Sequence, residues 1–161
     1  MSLNTDDLLR RVANLEALNS HLTFRISRMA KMLEVEGAKR LSGSGINLTA
    51  YRMMLVIEVF EEISVSDLSR IMLIDRAQIS RAASQLIERD LIEARSDKTS
   101  RRKKLIALTP EGAAVYARLR ARFDEREASL TAALEPDQRA LWSAIDGLSS
   151  WLEQEIEDAA R

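Results

Sequence analysis

The sequence predicts a mainly helical chain interrupted by one short β-hairpin. Three observations carry this expectation. Apolar residues recur at helical spacing over most of the length, two short aliphatic segments flank a basic polar stretch near residue 100, and there are only 5 glycines and 2 prolines to break helices. At 161 residues and 46% apolar the chain can bury one substantial core, and a single domain over residues 1–161 is expected. Aromatic residues make up only 4%, so aliphatic side chains must fill that core.

From Leu8 to about Leu41 apolar residues recur as Leu8, Val12, Leu15, Leu18, Leu22, Ile26, Met29 and Leu33, with no proline and no glycine before Gly37. One long amphipathic helix is expected there. Ser42-Gly43-Ser44-Gly45 ends it, and Thr49 offers a hydroxyl cap for a second helix through Tyr51, Met54, Leu55 and Glu58. A short third helix follows Ser64-Val65-Ser66 and should bury Leu68, Ile71 and Met72.

Asp75 followed by Gln78 is a capping-box spacing, so a fourth helix starts at this point. At about 100° per residue Ile79, Ala82, Ala83 and Leu86 fall on one face, while Ala77, Ser80, Arg81, Ser84 and Glu88 fall on the other, flanked by Arg76, Gln78 and Gln85. Leu91 to Arg95 and Lys104 to Leu108 then read as a hairpin with a basic tip. Thr109-Pro110-Glu111 begins a fifth helix: threonine caps, proline tolerates the first helical position, and glutamate suits the positive helix end. It carries Tyr116, Leu119, Phe123 and Leu130. A last helix after Glu135-Pro136-Asp137 presents Leu141, Ile145, Leu148, Leu152 and Ile156 as a single stripe. The first, fifth and sixth helices offer more apolar face than a small central domain covers, and pairing with a second copy would bury it.

Whole classes of chemistry are absent from the residue inventory. Zero cysteines exclude disulfides, thiol nucleophiles and thiolate metal sites, and His21 is the one histidine. Neither a metal nor a cofactor is expected. With no phosphate-cradling glycine loop and no nucleophile elbow either, the expectation is a protein that is not an enzyme. No run of about 18 apolar residues and no secretory leader occurs, so no membrane association and a cytoplasmic location are expected.

The overall charge of -1 conceals a segregation. Residues 95–104 carry six bases (Arg95, Lys98, Arg101, Arg102, Lys103, Lys104) against one acid, Asp97, whereas residues 124–161 carry ten acids against three bases. A local basic element beside an acidic end binds a polyanion at one place only. A short helix, a turn, a helix with a polar outer face and then a basic hairpin is the arrangement that places one helix in a major groove of double-stranded DNA with the hairpin beside it. Arg76, Gln78 and Arg81 can make specific hydrogen bonds, Ser80 and Ser84 can reach base edges or phosphates, and Ala77 permits close approach. Lys98, Arg101, Arg102 and Lys103 at the hairpin would meet phosphates or enter the narrower groove. Against this stand two blander readings: arginines that merely solvate an exposed helix, and hairpin charges that protect an edge strand from aggregation. A winged helix that packages DNA without sequence preference, or that mediates only protein contacts, stays open beside the regulator.

The segment from about Asn47 to Gly112 resembles the MarR (multiple antibiotic resistance regulator) family of winged helix-turn-helix transcriptional regulators. Val65-Ser66-Asp67-Leu68-Ser69-Arg70 is similar to the family's third helix, Asp75-Arg76-Ala77-Gln78-Ile79-Ser80-Arg81 to its recognition helix, and Leu86-Ile87-Glu88-Arg89-Asp90-Leu91-Ile92 to the exit into its wing. The most specific piece runs from Asp97 through Arg101-Arg102 to Leu108-Thr109-Pro110-Glu111-Gly112. Asp90 stands where the family usually has glycine, and Ser100 where it usually has an acid. Aspartate tolerates a left-handed backbone after a helix.

The resemblance implies a winged helix-turn-helix over 47–109 with a two-stranded β-wing, flanked by dimerisation helices over 8–41 and 110–161. It also implies a homodimer on a pseudo-palindromic operator, usually a repressor released by a small ligand. Half-sites would then lie about 10 base pairs apart, or a small multiple of that. Five of the six methionines lie in or near the helices that, by this resemblance, wall the ligand cavity. Met29 and Met53 would give it pliable walls, and His21, Arg25 and Arg52 could receive a carboxylate or phenol, making an aromatic acid the expected effector. An ordinary pliable core with solvated arginines is the alternative.

Overall fold

A computed structural model of the chain describes residues 5–96 and 104–159. Among the described residues seven helices and three strands follow in the order α1 (Thr5–Ser20), α2 (Leu22–Arg40), α3 (Leu48–Phe60), β1 (Glu62–Ser64), α4 (Val65–Met72), α5 (Arg76–Glu88), β2 (Ile92–Ser96), β3 (Lys104–Leu108), α6 (Pro110–Leu134) and α7 (Gln138–Ala159). The chain divides into two compact units, Met1–Leu119 and Arg120–Arg161.

The expected first helix is two. His21 adopts an extended ψ of 113° between α1 and α2, and its amide donates to the Leu18 carbonyl at 3.2 Å in place of an ordinary helical bond. The cause is local: Asn19, Ser20 and His21 are successive weak helix formers, and the Ser20 hydroxyl donates back to the Ala17 carbonyl at 2.7 Å. The second correction concerns the start of α3, which is capped by Asn47 rather than Thr49. Its Oδ1 accepts from the Ala50 amide at 2.9 Å, and the helix begins two residues earlier than a Thr49 cap allows.

The core of the first unit is aliphatic, as the composition requires. Met53, Met54, Ile57, Leu68 and Ile79 are fully buried, joined by Leu86, Leu91, Ile92 and Ile106 from α5 and the hairpin. Tyr51 of α3 packs on Tyr116 of α6 with ring centroids 5.8 Å apart. Leu68 is the only residue that α4 buries completely, while Ile71 is 47% exposed and Met72 half-buried. An eight-residue helix of two turns packs through one face too narrow to take all three.

The hairpin has the expected strands, β2 and β3, antiparallel with Ile92 opposite Leu108 and Ser96 opposite Lys104. A third strand was not expected. β1 pairs with the other edge of β3, Ile63 opposite Ile106, to give the order β1-β3-β2. β1 leads straight into α4, so the sheet fixes where the helix-turn-helix begins.

In the second unit Phe123 is buried and the Arg126 guanidinium lies over its ring, 4.9 Å from the centroid. α7 buries no residue. Of its expected stripe Leu141 is half-buried, and Ile145, Leu148, Leu152 and Ile156 are exposed, with Trp142 and Trp151 beside them.

Candidate nucleic-acid interface

The helix-turn-helix is held by caps at both ends of both helices. At the start of α4 the Ser64 Oγ accepts from the Asp67 amide at 3.1 Å and donates to the Asp67 carboxylate at 2.6 Å, a reciprocal cap that satisfies one of the orphan amides of the first turn. α4 ends on Leu73 in the left-handed region, φ 52°. There the Leu73 amide donates to the Arg70 carbonyl and the Ile74 amide to the Ser69 carbonyl, the paired bonds by which a left-handed residue closes a helix. The Ser69 hydroxyl adds a bond to the Ile74 carbonyl at 2.7 Å. Two residues later Asp75 caps α5, one carboxylate oxygen accepting from the amides of both Ala77 and Gln78.

α5 divides as its spacing predicts. Ile79, Ala82, Ala83 and Leu86 are buried, and Arg76, Ala77, Gln78, Ser80, Arg81 and Ser84 are all exposed. The four buried side chains fix the roll of the helix about its axis, and the roll decides which six side chains face outward. The small Ala82 and Ala83 also let α5 lie close to its neighbours.

The exit from α5 sets the position of the hairpin. Asp90 is left-handed, φ 57°, as expected for the residue standing in glycine's usual place. The Asp90 amide donates to the Ile87 carbonyl and the Leu91 amide to the Leu86 carbonyl, both at 2.9 Å, while Leu86 and Leu91 are buried. Thr109 then ties the far end of the hairpin to this turn. Its Oγ1 donates to the Asp90 carbonyl at 2.6 Å and accepts from the Gly112 amide at 2.9 Å, and its own amide donates to the Leu91 carbonyl at 3.1 Å. Gly112 has to be glycine: a Cβ there would stand 1.8 Å from the Leu91 carbonyl oxygen.

Two features of this region were not legible beforehand. Arg89 reaches back across the fold to donate to the carbonyls of Gly45 at 2.6 Å and Ser44 at 3.2 Å, fastening the loop before α3 to the end of α5. Arg95, counted above among the basic hairpin residues, has its guanidinium on the Glu93 carboxylate at 2.6 and 3.0 Å, so its charge is locally compensated. The expected wing contacts Lys98, Arg101, Arg102 and Lys103 lie outside the described residues.

The five residues expected around a ligand differ in exposure. Met53 is fully buried in α3, Met29 is 53% exposed, and His21 and Arg25 are exposed at the start of α2. Arg52 instead lines a hollow of about 380 Å³ with Lys31, Glu34, Val35, Ala38, Leu48, Thr49 and Gln78. The Lys31 ammonium donates to the Glu34 carboxylate at 3.0 Å and holds that carboxyl below the usual carboxylate range, with a smaller contribution of the same sign from Arg52. The sequence did suggest Arg52; Lys31 and Gln78 join it only because α2, α3 and the first turn of α5 meet. Among the described residues no cluster of histidine, aspartate or glutamate is placed to hold a metal ion, and no helix is long and apolar enough to cross a membrane.

This is a helix-turn-helix followed by a hairpin wing, and residues 44–103 match the model of the MarR family. That segment is similar to the MarR-family winged helix-turn-helix. Solved MarR structures extend the likeness beyond the segment. A MarR family transcriptional regulator from Silicibacter pomeroyi superposes with a TM-score of 0.75 at 22% identity, over 86% of this chain and 91% of that one. A MarR family regulator from Rhodococcus sp. RHA1 gives 0.68 at 28% identity, over 83% and 93%. A mutant MarR from E. coli, solved in complex with operator DNA, gives 0.64 at 18% identity, over 78% and 93%. Comparison with curated proteins gave no match.

Proposed function

We propose that this chain is a transcriptional regulator that binds double-stranded DNA sequence-specifically as a homodimer, acting as a repressor in the cytoplasm on a pseudo-palindromic operator. The observation that carries the reading is the outer face of α5. Six side chains able to read or closely approach base edges stand exposed on a helix whose opposite face is locked into the core, between a capped turn and a hairpin wing. The E. coli MarR bound to operator DNA shares this fold, which supports the same mode of docking here. Arg76, Gln78 and Arg81 would donate to bases or phosphates, Ser80 and Ser84 to either, with Ala77 in close contact. The wing's Lys98, Arg101, Arg102 and Lys103 would contact the backbone or narrow groove and contribute affinity without discrimination.

Pairing is supported by the exposed apolar stripes of α1, α2 and α7, since a soluble monomer rarely presents contiguous patches of that extent. Residues 1–161 would then act as one functional domain, with 8–41 and 110–161 supplying dimer contacts. A small aromatic acid or phenol is the proposed effector. The hollow beside Arg52 has a volume within the usual range for small-molecule sites, and Lys31 and Arg52 could take an acid group. Because Gln78 of α5 lines the same hollow, an occupant there would act on the reading helix itself and could favour one of its placements.

The test is binding to the chain's own promoter region against random duplex of equal length, at fixed salt. Specific reading predicts affinity at least about a thousandfold higher for the promoter site. Equal affinity with a steep salt dependence would instead mark a protein that coats DNA through phosphates alone. For the effector, calorimetry and thermal shift over a panel of aromatic acids should give heat and stabilisation with at least one member, accompanied by weaker operator binding.

A further inference from the structure

The turn that ends α5 carries more of the molecule than the wing. On one side Thr109 ties the start of α6 to the Asp90 and Leu91 carbonyls. On the other, the Arg89 guanidinium donates to the Gly45 and Ser44 carbonyls, in the loop that joins α2 to α3. Residues 89–91 therefore form a joint at the foot of the reading helix, from which two of the arms proposed for pairing leave.

The α2 arm is held near its root. Residues 22–33 are exposed throughout, whereas Gly37 is buried, and Leu41 and Ile46 seat the loop behind it. The loop itself is stiff: the Ser44 Oγ donates to the Leu41 carbonyl at 2.6 Å and accepts from the Ile46 amide at 3.0 Å. Chain continuity and aliphatic contacts fix the place of such a loop, but neither has a direction, so its tilt is weakly fixed. Arg89 adds the directional contact, a planar fork spanning two successive carbonyls at 2.6 and 3.2 Å. Gly45 leaves room for it: a Cβ there would stand 3.2 Å from the Arg89 Nη1, on a backbone whose φ of 68° already favours glycine. The tilt matters because α2 is long. Its 19 residues span about 28 Å, so a rotation of about 10° at the root swings the far end by about 5 Å, more than the rise of about 3.4 Å for one base pair.

We propose that Arg89 is a positioning residue for operator recognition: by locking the tilt of α2 against the foot of α5, it sets the separation of the two reading helices in the homodimer and hence the half-site spacing the chain accepts. This rests on the homodimer and the pseudo-palindromic operator proposed above. In this role Arg89 acts through α2 and not by contact with DNA.

The test uses the full chain with Arg89→Ala, Arg89→Lys and Gly45→Ala beside the parent. Fluorescence anisotropy is read on the operator footprinted in the chain's own promoter region, on the same duplex with one or two base pairs inserted or removed at its centre, and on a single half-site. One inserted base pair moves a half-site by about 3.4 Å and turns it by about 35°, so the parent should lose at least about tenfold in affinity at each altered spacing. Arg89→Ala should bind the natural operator about five- to tenfold more weakly, because a fraction of its arm orientations fit. Its spread across spacings should narrow to about threefold or less, while its half-site affinity and salt slope stay at the parent's values. Gly45→Ala should follow Arg89→Ala, and Arg89→Lys, a point donor in place of the fork, should recover part of the spacing preference. Loss to the same degree on every duplex, half-site included, overturns the assignment. With a salt slope lower by about one it makes Arg89 a phosphate contact, and with an unchanged slope and a lower melting temperature it leaves Arg89 a role in stability alone. A spacing preference that Arg89→Ala keeps intact overturns the positioning role and leaves the homodimer standing. A parent that sediments as a monomer, or that binds every spacing alike, overturns the paired reading and the positioning role together.

Discussion

Gly112→Ala sets two effects of opposite sign against each other. Gly112 lies in the first turn of α6, where alanine would ordinarily gain about 1 kcal/mol in helix propensity. Here the added methyl would stand 1.8 Å from the Leu91 carbonyl oxygen and 2.7 Å from its carbon, and ordinary contact begins at 3.4 Å. The obstacle is backbone in the turn between α5 and β2, so relief requires the start of α6 and that turn to part by about 1.6 Å. Three hydrogen bonds cross the gap or depend on its width: Thr109 amide to Leu91 carbonyl, Thr109 Oγ1 to Asp90 carbonyl, and Gly112 amide to Thr109 Oγ1. At about 1 kcal/mol each, with about 1–3 kcal/mol of overpacking strain, the loss comes to about 3–5 kcal/mol after the propensity gain is deducted. Urea unfolding followed by circular dichroism should show a much lower midpoint with the slope little changed. A variant as stable as the parent, or more stable by the propensity increment, would refute the close approach of α6 to Leu91.

Other consequences are smaller and equally checkable. Leu73 holds a left-handed backbone while 81% exposed, so Leu73→Gly should relieve about 1 kcal/mol of steric cost and lose little burial; a lower urea midpoint would show that the side chain has a packing role. Asp75→Ala removes the acceptor for two amides of α5 and should cost about 1 kcal/mol by the same assay, with Asp75→Asn retaining most of the stability. Arg89→Ala releases the loop at Ser44 and Gly45, and hydrogen exchange of the amides from Ser44 to Ile46 should accelerate while those of α5 stay protected; unchanged exchange in that loop would leave the Arg89 contacts without consequence.

The parts of the fold visible in the sequence are those fixed by local rules. The two faces of α5, the Asp75 cap, the strands of the hairpin and the left-handed Asp90 all follow from spacing and from the preferences of single residues, and each occurs as expected. What escaped was fixed by competition or by distance. Asn47 and Thr49 are both good caps two residues apart, and nothing local chooses between them. Asn19-Ser20-His21 contained the signal for a break, but the apolar period running through it is the stronger pattern. β1 is three residues long, too short for any period to be read, and exists because β3 has a free edge for it. The Arg89 contacts span 44 and 45 residues, beyond any local rule. At the site, the outward residues of α5 were legible because burial of the opposite face dictates them. The hollow beside Arg52 was not, because its lining comes from three helices whose meeting is a property of the packed fold.

The central claim is that α5 reads base edges while the wing holds phosphates. It is tested most directly by the ratio of operator to random-duplex affinity, measured by fluorescence anisotropy over a salt series for the parent, Arg81→Ala and Arg102→Ala. Arg81→Ala should lower that ratio about five- to a hundredfold. Arg102→Ala should leave the ratio intact, weaken binding to both duplexes alike and reduce the salt slope by about one. If Arg81→Ala weakens both duplexes to the same degree and the ratio stays at the parent's value, the outer face of α5 does not read sequence.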